Sequence, residues 1–595
     1  MTVTRYVNTN GSNAFNGTSS ALAWATVAHA KTQIRSLIAS NPTEDYVIIL
    51  GDGRHAVTEE LAFTELDSPR YPGTVTWKAA SGASPVISGG VPITTWTLHD
   101  AGNNIWVADF AASEFRQLYV NGVRCRRARR NSGLTGSPTA TATGFNTNDV
   151  VTTYANPSAI EFGFRKPGLW FESRIAVSSV VASTSVTMTD PTQSWYIAFG
   201  DIHVARLPTW IENAYEILVA EADPGTFYLN TVTDKVYLIP PTGVTNPNSA
   251  TVIAPQLQSL LTVTDARRIN FENIAFEHAT WLPTNGGLIE VQAMLISDAY
   301  LSGSTYTYDK IVYYGQLTAG NCKVSDSRDI NFTRCKFQKM GSHGLHIADG
   351  SEDIKLVGTI VRDCSAHGVV LGTGYTAFAI DPPTNVLIDN CVVSDIGVEF
   401  PGAVGICDYY PRALTISHCD ISDLPYSGIS VGLGWTRKHH YRTTPNAGYR
   451  ILNNRIRDVV QIMDDGGGVY TNGPSRSSLI QGNYITGVPA ANGIGIYLDE
   501  GSQRIGVNRN VVADCTKWFK HHRALGDITT TGNHSDTLDY EFVARDTQLD
   551  GDYNGAAAYV YSQPTIFDPD NVGSAQQRIM LDAGLEAAYE DLLDE

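Results

Sequence analysis

A chain of 595 residues is longer than one ordinary globular core supports, so it is either several domains or one elongated repeat with additions. Hydrophobic residues at 43%, charged residues at 17% and 53 glycines describe a soluble, ordered, glycine-rich protein, and no apolar run reaches the roughly 18 residues of a membrane span. The formal charge of -18, from 60 acidic against 42 basic side chains, repels nucleic acid except at a local basic patch and fits a neutral ligand better than an acidic one.

The first residues enter a strand-like segment directly, without the basic and apolar regions of a signal peptide. Residues 1–114 read as an N-terminal cap and first coils, with strand-like runs at 46–52, 75–79 and 85–90. The pattern breaks between 115 and 255. This stretch is rich in Thr, Ser, Trp and Tyr, and paired runs at 225–229 and 235–239 predict an inserted antiparallel β domain. Five arginines between Arg124 and Arg130 read there as a solvated or inter-domain patch.

From 256 to 535 a repeat dominates, clearest after about 265. Apolar-x-apolar segments lead to Cys335, Thr359, Cys391, Cys419, Asn454, Asn483 and Asn510, at spacings of 24, 32, 28, 35, 29 and 27. Such spacing is too irregular for a leucine-rich repeat and too long for a hexapeptide helix, but it suits three short strands and three turns per coil. The chain therefore reads as all-β, a right-handed parallel β-helix in which equivalent side chains pile in register. Buried Asn amides in the turns can satisfy backbone groups of neighbouring coils, and Cys or Thr is small enough to replace them. None of the eight cysteines forms a CxxC pair or zinc-like spacing, so they read mostly as buried thiols. Residues 536–595 read as loop, then one amphipathic helix over 574–593 that would cover the open end of the solenoid.

A second strand follows each ladder position and is marked by glycine: Gly344, Gly368, Gly428, Gly468 and Gly495, with Trp518 in the same place. Period-2 alternation puts Leu345, Val369, Ile429, Val469, Ile496 and Phe519 inside. It leaves His346, Ser430, Tyr470, Tyr497 and Lys520 on one outer face, where a sugar could lie. The densest polar cluster falls in three consecutive coils: Asp464 and Asp465 before Gly466, Asp499 and Glu500 after Leu498, and Lys520, His521 and His522. Two carboxylates from neighbouring coils are what glycoside hydrolysis needs, one to protonate the leaving oxygen and one to attack or to activate water. In a simple register Asp465 and Asp499 stand seven residues apart, about 23 Å along a straight strand. The run Gly466 to Gly468 must therefore bulge or turn to join them. Aspartates at coil corners are, on structural grounds alone, common turn-formers. His343 and His346, with His367 one coil on, resemble a paired site but require no metal, and no cofactor is implied. Trp281 and Trp435 are sugar platforms or loop anchors.

The stretches MDDGGGVYTNGP, LIQGNYITGV and GIGIYLDEGS resemble the β-helix proteins of glycoside hydrolase family 141, which includes α-L-fucosidase and xylanase activities. Further similar strings occur in order along nearly the whole chain, from YVNTNGSNAFNGTSSALAWATVAHA through SPVISGGVPITTW and NFENIAFEHATW to AGLEAAYEDLL. The resemblance implies Asp499 as nucleophile, Asp465 as general acid/base, a carbohydrate substrate, and an extracellular or periplasmic place. Family 120 xylosidases are more distantly similar, but their acid position falls here at His522, which departs from that pattern. Glu500 is either a competing acid or an outer-turn residue. A polysaccharide lyase or epimerase would need cations around a uronate, and the acidic cluster lacks a matching row of Lys and Arg. A non-catalytic, tailspike-like carbohydrate-binding solenoid is the third reading.

Overall fold

The computed structural model describes residues 1–165, 170–189, 207–283, 287–298, 316–373, 381–410, 412–432, 447–524, 526–543 and 559–594. One compact unit comprises Met1–Ser88, Ser259–Glu277 and Ala319–Glu595. Three parallel sheets build it. The first passes from Thr2–Val7, Asp45–Leu50 and Val75–Ala79 straight to Arg267–Glu272 and on, coil by coil, to Tyr559–Tyr561; the second begins at Gly53–Ala56 and the third at Leu61–Phe63. The expected parallel solenoid is present, and its N-terminal strands are coils of the same stack. Helix Val27–Ser40, capped by the Thr26 side chain, buries Val27, Ala30, Ile34 and Ile38 and receives the Tyr46 hydroxyl on its last turn.

The interior consists of columns. Ile48, Trp77, Phe271, Phe332, Leu356 and Ile388 are register partners in successive coils of the first sheet, and the Phe271 and Phe332 rings stack with centroids 5.1 Å apart. In the turn that follows, the Asn483 amide donates to the Ile451 carbonyl of the preceding coil at 2.9 Å, while its Oδ1 accepts the Asn454 backbone N–H at 2.9 Å. Asn454 and Asn510 repeat the arrangement, and Asn533 ends it. Cys335, Thr359, Cys391 and Cys419 do the donor half of the same work, each reaching a carbonyl of the coil before. Coil corners turn at left-handed residues that are mostly Asp, Asn or Gly, such as Asn390, Asn453, Gly482 and Asp458.

Glycines before the third sheet form another column. A Cβ on Gly368, Gly405, Gly428 or Gly468 would lie 2.5, 2.6, 2.7 or 2.9 Å from the carbonyl oxygen of the next glycine in the stack. Gly405 completes the series read from sequence, and Gly495 would meet the carbonyl of Trp518. The residue is glycine here because neighbouring backbones approach too closely for a side chain.

The C-terminal segment departs from expectation twice. It is not one helix: Ser574–Asp582 is α-helical, Gly584 turns the chain in the left-handed region, and Ala587–Asp594 is a 3-10 helix. Nor does it cover the solenoid's end. It runs back along the flank of the second sheet, with Phe567, Ile579 and Met580 on Val511 and Ala513, the Gly584 N–H on the Asn453 carbonyl, Glu586 on Asn390, and Leu585, Tyr589 and Leu592 on Ile360 and Val392. Arg334 closes the run on Asp591 at 2.6 Å. Amphipathic spacing reports an apolar face but not which surface receives it.

The other unit comprises Gly89–Gln258 and His278–Thr318 and is mainly antiparallel. Thr226–Asn230 pairs with Lys235–Ile239 as a hairpin. This unit is wider than 115–255, because Gly90–Pro92 pairs with Val252–Pro255 and Gly287–Val291 pairs with Phe171–Val181. Strand-like alternation alone does not distinguish these edges from solenoid strands. The run from Arg124 to Arg130 is solvated at Arg126, which is exposed, and half-buried at its other four arginines. Arg127 and Arg174 meet Glu212 at 3.0 and 3.3 Å, Arg116 meets Glu161 at 2.8 Å, and Arg130 meets Asp149 at 3.0 Å, while Arg129 lies over Trp210. Burial pushes the Arg129 guanidinium down to about 10.

Candidate active site

Three third-sheet strands, Gly467–Thr471, Ile494–Leu498 and Lys517–His522, stack in register with Tyr470 against Tyr497 and Tyr497 against Lys520. The expected outer column of Ser430, Tyr470, Tyr497 and Lys520 is thus continuous, and it extends to Glu541. The two tyrosine rings meet edge to face, centroids 5.1 Å apart.

Each phenol serves the carboxylate of the other coil. The Tyr470 hydroxyl donates to Asp499 Oδ2 at 2.5 Å, and the Tyr497 hydroxyl donates to Asp465 Oδ1 at 3.1 Å. Side chains therefore bridge the offset that a straight register leaves between the aspartates. The glycine run does not bulge. Gly467 and Gly468 lie in the strand, Gly467 opposite Ile494, and the chain departs one step earlier, at Asp465, whose φ is 55°. The Tyr426 hydroxyl holds that turn by donating to the Asp465 carbonyl at 3.1 Å. Gly466 leaves room for the same tyrosine, since a Cβ there would sit 2.7 Å from its ring.

The two carboxyls are pushed in opposite directions. Asp499 is 3% exposed, and burial opposes its charge. His522 Nδ1 at 2.6 Å from Oδ1, the Tyr470 hydroxyl and the Glu500 backbone N–H outweigh that burial and hold the carboxyl below its ordinary range. Asp465 is raised, first by burial and then by the negative charge of Asp499, with Lys520 and the Tyr497 hydroxyl working against the rise. Lys520 Nζ lies 3.5 Å from Asp465 Oδ1, 3.7 Å from Glu541, and 4.6 Å above the Tyr497 ring. One site thus holds an ionised carboxylate and a carboxyl with reason to keep its proton.

Of the other sequence candidates, Asp464 accepts the Asp465 backbone N–H at 2.7 Å and the Asn492 amide at 3.3 Å, so it shapes the turn. Glu500 is tied to Arg523 at 2.8 Å. His521 faces inward, stacked on Phe542 with centroids 4.5 Å apart, and burial pushes its imidazole down to about 4. His343 and His346 lie several coils away. His343 Nδ1 accepts the His367 N–H at 3.1 Å, and His346 Nε2 meets the Gly372 carbonyl at 2.8 Å, which are contacts of coil stacking. Trp435 lies outside the described residues. Sequence reasoning missed Tyr426, Asn472 and Glu541. Asn472 was within reach, because the pairing of Thr471 with Leu498 puts the next residues, Asn472 and Asp499, side by side.

Residues 323–536 match the family described as "Right handed beta helix region". The fold is a right-handed parallel β-helix. This β-helix is similar to a solved structure described as "Glycoside hydrolase", over 99% of this chain and 100% of that one, at 22% identity and a TM-score of 0.76. Fainter similarity extends to XylC in complex with xylose, at 14% identity over 89% of this chain and 75% of that one, TM-score 0.45. The lacto-N-biosidase of Eubacterium ramulus gives 11% identity over 95% and 67%, TM-score 0.39. No curated protein sequence matches the chain.

Proposed function

We propose that this β-helix is a glycoside hydrolase that retains anomeric configuration, with Asp499 as nucleophile and Asp465 as general acid/base. The opposed displacement of the two carboxyls carries the reading: Asp499 is held ionised by His522 and Tyr470, while Asp465, half-buried and acted on by the Asp499 charge, is raised. In the first step Asp465 gives its proton to the leaving oxygen as an Asp499 oxygen attacks the anomeric carbon. In the second, Asp465 takes a proton from water, which displaces Asp499 from that carbon. The Tyr470 hydroxyl and His522 limit where the attacking carboxylate can turn.

The similarity in fold, over the full length, to a protein described as a glycoside hydrolase supports the same class. A lyase or epimerase is less well served, because Lys520 faces Asp465 and Glu541 and Arg523 is tied to Glu500, so these cations are already matched by acids. The substrate classes proposed are an α-L-fucoside and a β-xyloside. A panel of aryl glycosides, run with the wild type, Asp499→Ala and Asp465→Ala, tests the reading. Wild-type turnover of one sugar, lost by at least about 10³-fold in Asp499→Ala and partly restored in Asp465→Ala by a leaving group that needs no proton, is expected. Activity surviving both substitutions would sink it. Anomer analysis of the first product by NMR reads retention.

A further inference from the structure

We propose that Asn472 is a substrate-binding residue of this site, its Oδ1 accepting a hydrogen bond from the hydroxyl on the sugar carbon next to the anomeric carbon. The inference rests on the hydrolase reading above and names a part of the substrate that reading leaves open.

Asn472 follows strand Gly467–Thr471 as Asp499 follows strand Ile494–Leu498. Backbone bonds on either side, from Asp499 N–H to the Thr471 carbonyl at 2.9 Å and from Gly473 N–H to the Glu500 carbonyl at 2.8 Å, keep the two residues level. One coil step along the axis, about 4.8 Å, therefore separates their backbones. A sugar presenting its anomeric carbon to Asp499 has the neighbouring hydroxyl as its nearest polar substituent, within the reach of a side chain one coil away.

The amide's orientation follows from the protons available. Tyr470 has a single hydroxyl proton, and it goes to Asp499, an ionised carboxylate that only accepts. The contact of 3.3 Å between Asn472 Nδ2 and the Tyr470 oxygen must then be a bond donated by the amide. Asn472 Oδ1 consequently points away from Tyr470. Asn472 is 2% exposed, yet that oxygen accepts no hydrogen bond among the described residues. Buried amide oxygens ordinarily find a donor. The Asn residues of the structural ladder all do, with Asn454, Asn483 and Asn510 each accepting a backbone N–H on Oδ1. Asn472 differs from them in having its donor half tied into the site and, among the described residues, its acceptor half unused.

The Asn472 backbone packs closely on Gly432, where φ is 91° and a Cβ would fall 1.8 Å from the Asn472 backbone carbonyl oxygen. A substrate hydroxyl that donates to Asn472 would complete a chain running hydroxyl to Asn472, Asn472 to Tyr470, and Tyr470 to Asp499. It would register the sugar against the nucleophile.

The experiment pairs enzyme and substrate changes. The wild type, Asn472→Leu and Asn472→Ala are each assayed on the aryl glycoside that the wild type cleaves best and on its 2-deoxy counterpart. Circular dichroism and the thermal midpoint check folding. Comparing ratios cancels the greater intrinsic lability of deoxy glycosides. Expected is a preference for the hydroxylated substrate in kcat/KM that is about tenfold or more larger in the wild type than in either variant, whatever loss both substrates share through the Asn472–Tyr470 bond. A purely structural Asn472 would lower both substrates alike and leave the ratio unchanged. That result, or a wild type whose own kcat/KM does not fall when the hydroxyl is removed, overturns the inference while the hydrolase reading stands. A wild type that cleaves no aryl glycoside removes both.

Discussion

Asp408 offers a test that needs no substrate. It occupies an interior place of the third sheet, between Leu371 and Val431 in the adjoining coils. Burial, reinforced by the charge of Asp349 and opposed by the Tyr410 N–H on its Oδ1, pushes its carboxyl from 3.8 up to about 8. An acid raised in this way folds with its proton in place. The unfolded chain ionises near its ordinary value, so the contribution to stability is full below about pH 4 and is lost as pH rises toward 8. At about 1.4 kcal/mol per unit, the loss reaches roughly 4 kcal/mol at pH 7 and only about 0.5 kcal/mol at pH 4. Asp408→Asn keeps the Oδ1 acceptor for Tyr410 and cannot ionise. It should therefore match the wild type near pH 4 and exceed it by an amount that grows to about 4 kcal/mol at pH 7 and levels off above 8. Urea midpoints by far-ultraviolet circular dichroism at four pH values, wild type beside variant, read the difference, and every other carboxylate cancels in the comparison. A gap of equal size at all pH values would refute the assignment of a buried neutral acid.

Three further outcomes follow from the columns and the site. Asn483→Leu leaves the Asn454 backbone N–H and the Ile451 carbonyl without their partner, and should lower stability by roughly 2 to 5 kcal/mol in the same urea assay, whereas loss under about 0.5 kcal/mol would remove the ladder's role. Gly468→Ala puts a methyl 2.4 Å from Ile485 and 2.9 Å from the Gly495 carbonyl, so it should cost about 1 to 3 kcal/mol and lower activity through displaced Tyr470, while Gly82→Ala, with φ of 73° and no atom within 4 Å, carries backbone strain only. Lys520→Met removes a cation that pulls the Asp465 carboxyl down, so the alkaline limb of kcat/KM, read from a pH profile on the active aryl glycoside, should move to higher pH; a shift the other way contradicts Asp465 as the proton donor.

Much of the stack was legible because the repeat writes physical constraints onto single columns. Asn454, Asn483 and Asn510 recur where one amide must serve two coils, and Gly344, Gly368, Gly428 and Gly468 recur where backbones nearly touch. Alternation alone then put Tyr470, Tyr497 and Lys520 on one face. What resisted reading lies outside the period. Asp465 turns the chain at a residue that belongs to no corner column, and its grip by Tyr426 comes from the preceding coil, with nothing in the local string to announce it. His521 and His522 are adjacent and chemically alike, yet one packs on Phe542 and the other meets Asp499, a distinction made by strand parity. The Arg124 to Arg130 run misleads in part because a dense string of charge reads as surface until Glu161 and Glu212, far along the sequence, are seen to answer Arg127.

The returning C-terminal segment gives the β-helix a property that stacked coils lack by themselves. A solenoid whose coils contact only their neighbours is close to a one-dimensional system, free to fray from either end and to come apart in pieces. Here a single stretch of chain touches the coils of Val511, Asn453, Asn390, Ile360 and Arg334 in turn. Loss of any one of those coils loosens the anchor of the rest, so the coils between 334 and 513, which include those carrying Asp465 and Asp499, should open together. Because this segment follows in sequence every coil it touches, that shared fate begins only once it has been synthesised.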